Sequence, residues 1–290
     1  MGLEQKLGVV TIPQKIDAEP SFFPIAFPGS EILNEKETFD EAVVYWTPIF
    51  VEFGGEKIVP AATQLLLQLY KNGLYPHCKI TASIAGAASV RLGCTPEEVP
   101  AAMLAGLFHD IGKINTDVRD KIKHNRLLSD AERAVMQRHP ELGVELVSKA
   151  FSPLIETNNL DQLSLGEVLW GILGHHLNVN GSGYPVNINT AYKAYEGQGV
   201  TIPRIALVLR VVDSLVAMME NREYKEKKDI RRFWNAVNEL RSKAGIWYDS
   251  EVLEAVISAA HLQLWEPLPV PIVPITTKQR PLHSISRRKV

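Results

Sequence analysis

Between about residue 61 and residue 265 the apolar positions recur at intervals of three and four, the spacing of helices that turn one face toward a core. In "HCKITASIAGAASVRLG" this puts His77, Ile80, Ile84 and Ala88 on one face, with Gly93 placed to terminate the helix. Three helix starts are marked by a hydroxyl followed three residues later by a glutamate, a pair that satisfies two free N–H groups reciprocally: Thr95 with Glu98, Ser129 with Glu132, and Ser164 with Glu167. No comparable alternating run of strand type occurs. The pattern predicts an all-α helical bundle.

The two ends read differently. Residues 1–60 follow no clean period: prolines are scattered through "FPIAFPGSE", and "FDEAVVYWTPIFVEF" mixes apolar and polar positions, so an irregular N-terminal segment is expected. Residues 266–290, "EPLPVPIVPITTKQRPLHSISRRKV", are rich in proline and then in basic residues, which predicts an extended, disordered tail rather than a packed element. The expected organisation is therefore 1–60, 61–265 and 266–290.

Composition narrows the function. The chain has 290 residues and is 46% hydrophobic, enough for a sizeable core, and its formal net charge of −2 supplies no basic field to draw in a nucleic-acid polymer. Two cysteines, Cys78 and Cys94, make neither a disulfide framework nor a zinc pair. Arg210 and Asp213 interrupt the most apolar run, "IALVLRVVDSLVAMM", so no stretch has the ~18 uncharged residues of a membrane span. The start of the chain lacks a basic stretch followed by a long apolar run, and a cytoplasmic location is expected.

Against this background a few polar residues stand out. "GLFHDIGKI" ends an apolar helix with His109 and Asp110, and on a continuing helix Lys113 would face the same way as His109. His77 lies on the buried face of the preceding helix, His139 follows the helix opened by Ser129, and His175-His176 close the helix opened by Ser164. Asp213 falls inside an apolar run, where an ionised carboxylate is costly without a cation or hydrogen-bond partner. Taken singly, each has a structural explanation: a hydrogen-bonded core histidine, a helix-end histidine, a salt-bridged aspartate. Five histidines and two aspartates together are a ligand set suited to Mn, Fe or Zn rather than Mg or Ca, and more than one tetrahedral ion would use. Two ions about 3.5–4 Å apart are the usual machinery for in-line displacement at a phosphate ester, with Lys113 available to neutralise a phosphoryl oxygen.

The ordered series His77, His109-Asp110, Lys113, His139, His175-His176, "GSGYP" and Asp213 resembles the HD-GYP branch of the HD phosphohydrolases over about residues 70–228. The resemblance implies an HD-domain helical bundle that hydrolyses a cyclic dinucleotide, typically cyclic di-GMP to linear pGpG or to GMP, on two or three iron or manganese ions. It implies that Asp110 bridges the metals, that His77, His109 and Asp213 complete one, and that His139, His175 and His176 bind the other. "NREYK" lines up with a stretch expected to grip ligand phosphate through Arg222 and Lys225. Gly181, Gly183, Tyr184 and Pro185 read as a tight loop beside the site, shaping its entrance or docking a signalling protein.

Departures from the family pattern qualify the substrate more than the ligand set. Gly73 stands where members with a third metal resemble one another in having glutamate, so two divalent ions are expected. Leu177 and Asn180 replace the usual acidic residues after the histidine pair, and Val216 replaces the aspartate three residues beyond the final ligand. Two further readings therefore accompany the phosphodiesterase: a catalytically weak module that binds a cyclic dinucleotide for signalling, and an HD phosphohydrolase for another nucleotide.

Overall fold

The computed structural model describes residues 37–122, 128–157, 160, 162–186, 202–220 and 230–265, and among these it is all-α. The helices, in chain order, are α1 (Phe39–Gly54), α2 (Val59–Lys71), α3 (Tyr75–Arg91), α4 (Glu98–Phe108), α5 (Thr116–Ile122), α6 (Asp130–Met136), α7 (His139–Glu156), α8 (Gln162–Gly174), α9 (Arg204–Met219), α10 (Ile230–Arg241) and α11 (Ser250–Trp265). Short 3-10 turns lie at Glu56–Ile58 and Ile111–Ile114. No described helix is long and apolar enough to cross a membrane. The tail at 266–290 lies outside the described residues.

Helix α3 is the axis of the bundle. It packs against α4, α9 and α11 and is buried on more than the one face its periodicity shows, since Cys78, Lys79, Thr81, Ser83 and Ser89 are buried along with Ile80, Ile84 and Ala88. Lys79 is accommodated by an ion pair with Glu37 and by the face of Tyr45, 5.2 Å from its ammonium. Gly93, at φ 71°, ends the helix as the sequence predicts. Helix α4 runs close alongside α3: a Cβ on Gly106 would stand 2.7 Å from Cα of Ala82.

Three expectations need correction. The segment Phe39–Ile58 is helical, not irregular: Thr38 and Glu41 form a capping box, and Ala42, Trp46, Ile49 and Phe50 make a buried stripe at helical spacing against α2 and α4. Pro48 hid this period; it removes one helix hydrogen bond, to the carbonyl of Val44, on a side where Val44 is 74% exposed. Helix α8 begins at Gln162, so Ser164 lies inside its first turn instead of capping it, while Ser129 and Glu132 do form the capping box read from the sequence. Thr95 and Glu98 exchange their two capping hydrogen bonds ahead of α4.

The third correction positions the site. Helix α4 stops at Phe108 and the chain turns through His109-Asp110 into a 3-10 turn, so Lys113 is not on a continuing helix with His109. That turn lies directly on the start of α7: a Cβ at Gly112 would meet the His139 carbonyl oxygen at 2.0 Å and the Gly143 nitrogen at 2.7 Å. Gly112→Ala should therefore separate the turn from α7 at a cost of about 3 kcal/mol, because both groups in the way are backbone. Denaturant unfolding monitored by circular dichroism measures this; wild-type stability in the variant would refute the close approach.

Candidate metal centre

The seven predicted ligands are delivered by the ends or middles of five helices. His77 is in the first turn of α3, His109 and Asp110 follow α4, His139 opens α7, His175 and His176 follow α8, and Asp213 lies midway along α9. The structure brings all seven side chains together. Three ligand groups lie with their atoms within 4.8 Å of one another: His77, His109 and Asp213; His139, His175 and His176; and His109, Asp110 and His175.

Asp110 joins the groups. Its Oδ2 faces Nε2 of His109 at 3.5 Å and of His77 at 3.8 Å, while its Oδ1 faces Nε2 of His139 at 3.3 Å and of His175 at 3.9 Å. Lys113 forms an ion pair with Oδ2, whereas Oδ1 is buried with no hydrogen-bond partner. A buried carboxylate oxygen without a donor is costly, and a cation at that face removes the cost.

The imidazoles are oriented by their own backbone. Nδ1 of His109, His139 and His175 lies 2.8, 2.8 and 2.7 Å from the carbonyls of Gly106, Met136 and Ile172, each three residues earlier. With the proton donated from Nδ1 to a carbonyl, Nε2 presents a lone pair to the centre. Nε2 of His139 is then 3.1 Å from Nε2 of His175, and Nε2 of His109 is 3.2 Å from that of His77. Between His139 and His175 the facing lone pairs repel, but ligands held ~2.0–2.2 Å from one ion lie roughly 3.0–3.6 Å from each other. The donor set therefore fits divalent metal, and its imidazole and carboxylate chemistry is that of Mn, Fe or Zn.

The charges agree. Burial pushes His139 down to about 4, helped by the Lys113 ammonium, and burial drives His175 and His176 well below their usual range. Burial opposes ionisation of Asp110, but Lys113 and the surrounding imidazoles hold it well below the ordinary carboxylate range. For Asp213 burial is likewise outweighed, by His109 and His77. His77 is the exception: burial lowers it, yet its hydrogen bonds with Asp213 and Glu220 raise it to about 10.

The loop after the histidine pair folds back on it. Gly181 and Gly183 have φ of 72° and 95°, Gly183 bridges to Leu177, and a Cβ at Gly183 would meet the His176 carbonyl oxygen at 2.1 Å. Tyr184 stacks on His176 with ring centroids 4.3 Å apart and lies 6.1 Å from His139, and Pro185 is buried behind a cis peptide bond. Arg222 and Lys225 lie outside the described residues.

Sequence reading missed two groups around the ligands. Glu220, at the C-terminal cap of α9, accepts from Nδ1 of His77 at 2.9 Å. Arg210 donates to Asn178 Oδ1 at 2.8 Å, and its guanidinium lies 4.9 Å from the centre of the Tyr248 ring. Arg210 and Glu220 stand one turn before and two turns after Asp213, but that spacing does not say which residue either one meets.

Comparison with known proteins agrees with this architecture. A family model described as HD domain matches residues 62–252. The chain is 29% identical over 181 residues to a cyclic di-GMP phosphodiesterase of Thermotoga maritima, covering 62% of this chain and 43% of that protein. It is 30% identical over 174 residues to the cyclic di-GMP phosphodiesterase response regulator RpfG of Xanthomonas campestris, covering 60% and 40%. It is 23% identical over 215 residues to the 3'3'-cGAMP-specific phosphodiesterase 1 of Vibrio cholerae, covering 73% and 44%. The chain thus spans less than half the length of these relatives. It belongs to the HD-domain family. Within that family it is a divergent member of the HD-GYP branch.

The titrations set a pH optimum for stability of the metal-free protein. His139, His175 and His176 bind protons less readily folded than unfolded, so stability falls as pH drops below their ordinary 6.5. His77 does the opposite: its contribution is complete below 6.5 and is lost as pH rises toward about 10. Chelator-stripped protein should melt highest near pH 6.5 and lower on both sides, with a slope of about 1.4 kcal/mol per pH unit for each titrating group. A melting temperature that rises steadily from pH 5 to 9 would contradict this.

Proposed function

We propose that this chain is a metal-dependent phosphodiesterase that hydrolyses a cyclic dinucleotide, cyclic di-GMP being the leading candidate, to linear pGpG or GMP. The observation that carries the reading is the shared carboxylate of Asp110, with one oxygen toward His77 and His109 and the other toward His139 and His175. In this reading His77, His109, Asp110 and Asp213 hold one ion, His139, His175, His176 and Asp110 hold a second, and the ions are iron or manganese. When bound, such a pair activates water and neutralises charge on phosphoryl oxygens.

The remaining roles fall to the chain itself. Lys113, beside Asp110 and only partly exposed, brings an ammonium to the phosphoryl group as charge builds in the transition state. Tyr184 closes one side of the centre by lying against His176 and His139, which supports a shaping role for its loop. Arg222 and Lys225 are assigned to ligand phosphate on sequence alone.

A second substrate reading, a hybrid cyclic dinucleotide, draws support from the likeness to a 3'3'-cGAMP-specific enzyme. A weak binding module draws support from Leu177, Asn180 and Val216. One experiment separates these: anaerobic purification, metal analysis, and product identification with cyclic di-GMP and 3'3'-cGAMP in competition. Linear product from cyclic di-GMP is expected. Binding of either nucleotide by iron- or manganese-loaded protein without any linear product over hours would leave the binding module standing.

Two substitutions test the roles. Asp110→Ala should abolish turnover and lower metal content together, whereas Lys113→Met should lower turnover by about 10²–10³-fold with metal content retained. Turnover kept in Asp110→Ala would refute the shared-ligand assignment.

A further inference from the structure

Four histidines of the centre have an assigned partner for Nδ1, and three of them use the carbonyl of the residue three positions earlier. His77 is different in kind. It lies in the first turn of α3, and its Nδ1 is 2.9 Å from Oε1 of Glu220, which sits 143 residues away at the C-terminal cap of α9. Its Nε2 points inward, 3.2 Å from Asp213 and 3.2 Å from His109 Nε2.

We propose that Glu220 is the positioning residue of His77: its carboxylate accepts the Nδ1 proton, fixes the ring's rotation and tautomer, and strengthens Nε2 as a ligand. This rests on the metal-centre reading above and assigns a residue outside the ligand set. Asp213 lies midway along α9 and Glu220 caps its C-terminus two turns later, so one helix and its cap supply both a ligand for the ion and the brace for a second ligand on α3. A carboxylate behind a ligating imidazole both orients it and raises its basicity. The side chain of Glu220 is 45% exposed, so the brace is the most solvent-accessible link in the inner network and can be changed without disturbing the core.

The test is a titration of stripped protein with Mn(II) alone, free Mn(II) being read by electron paramagnetic resonance, alongside circular dichroism and melting of each variant. Wild type should take up two ions. Glu220→Ala should weaken one of them by about 10–100-fold and leave the other unchanged. Glu220→Gln, whose carbonyl still accepts the Nδ1 proton, should restore most of that loss. Unchanged binding of both ions in folded Glu220→Ala, equal weakening of both, or a Gln variant no better than Ala would overturn the assignment. Wild-type protein that binds no Mn(II), iron or zinc would instead overturn the metal-centre reading itself, and the proposal with it.

Discussion

A single buried carboxylate has to face two groups of imidazoles at once, and the rest of the structure follows from that demand. Asp110 is 2% exposed, and the ion pair with Lys113 is the chief offset to burying its charge, while Oδ1 has no hydrogen-bond partner. To present both oxygens, helix α4 must end before it, the chain must turn, and the 3-10 segment must lie against α7 closely enough that only glycine fits at position 112. The packing of α3 on α4 and of α7 on α8 then supplies the histidines on either side.

Much of this was legible in the sequence, for a physical reason. Imidazoles and carboxylates inside apolar helices are conspicuous because burial without a partner is expensive, so His77, His109, Asp110 and Asp213 could be picked out one by one and then seen as a set. The capping pair Ser129 and Glu132 was equally readable, because it is a local device. What escaped was non-local or disguised. Helix α1 was hidden by Pro48, although Ala42, Trp46, Ile49 and Phe50 carry its period. The brace from Glu220 to His77 spans 143 residues, and no local spacing announces it.

The positions read in the sequence as departures from the family pattern lie in packing and turns. Leu177 is fully buried and bridged to Gly183, and Val216 is 2% exposed in the core of α9. Asn180 accepts from the Ser182 backbone N–H at 3.1 Å and from its hydroxyl, holding the tight turn. Gly73, at φ 71°, carries the left-handed residue between α2 and α3, a conformation that a glutamate adopts only with strain. Glutamate at position 177 would place a carboxylate where Leu177 is fully buried, at the cost of taking a charge out of water.

The distribution of the ligands along the chain has a topological consequence. Ions held by this set would act as cross-links: the contact between His77 and His109 closes a loop of 32 residues, and that between His139 and His175 closes one of 36. Such clips restrict the unfolded chain as disulfides do, but they can be withdrawn by a chelator and restored by mass action. The durability of the bundle then becomes a function of free metal concentration. Withdrawing metal would remove that contribution and lower the stability of the bundle, while the buried apolar core stays in place.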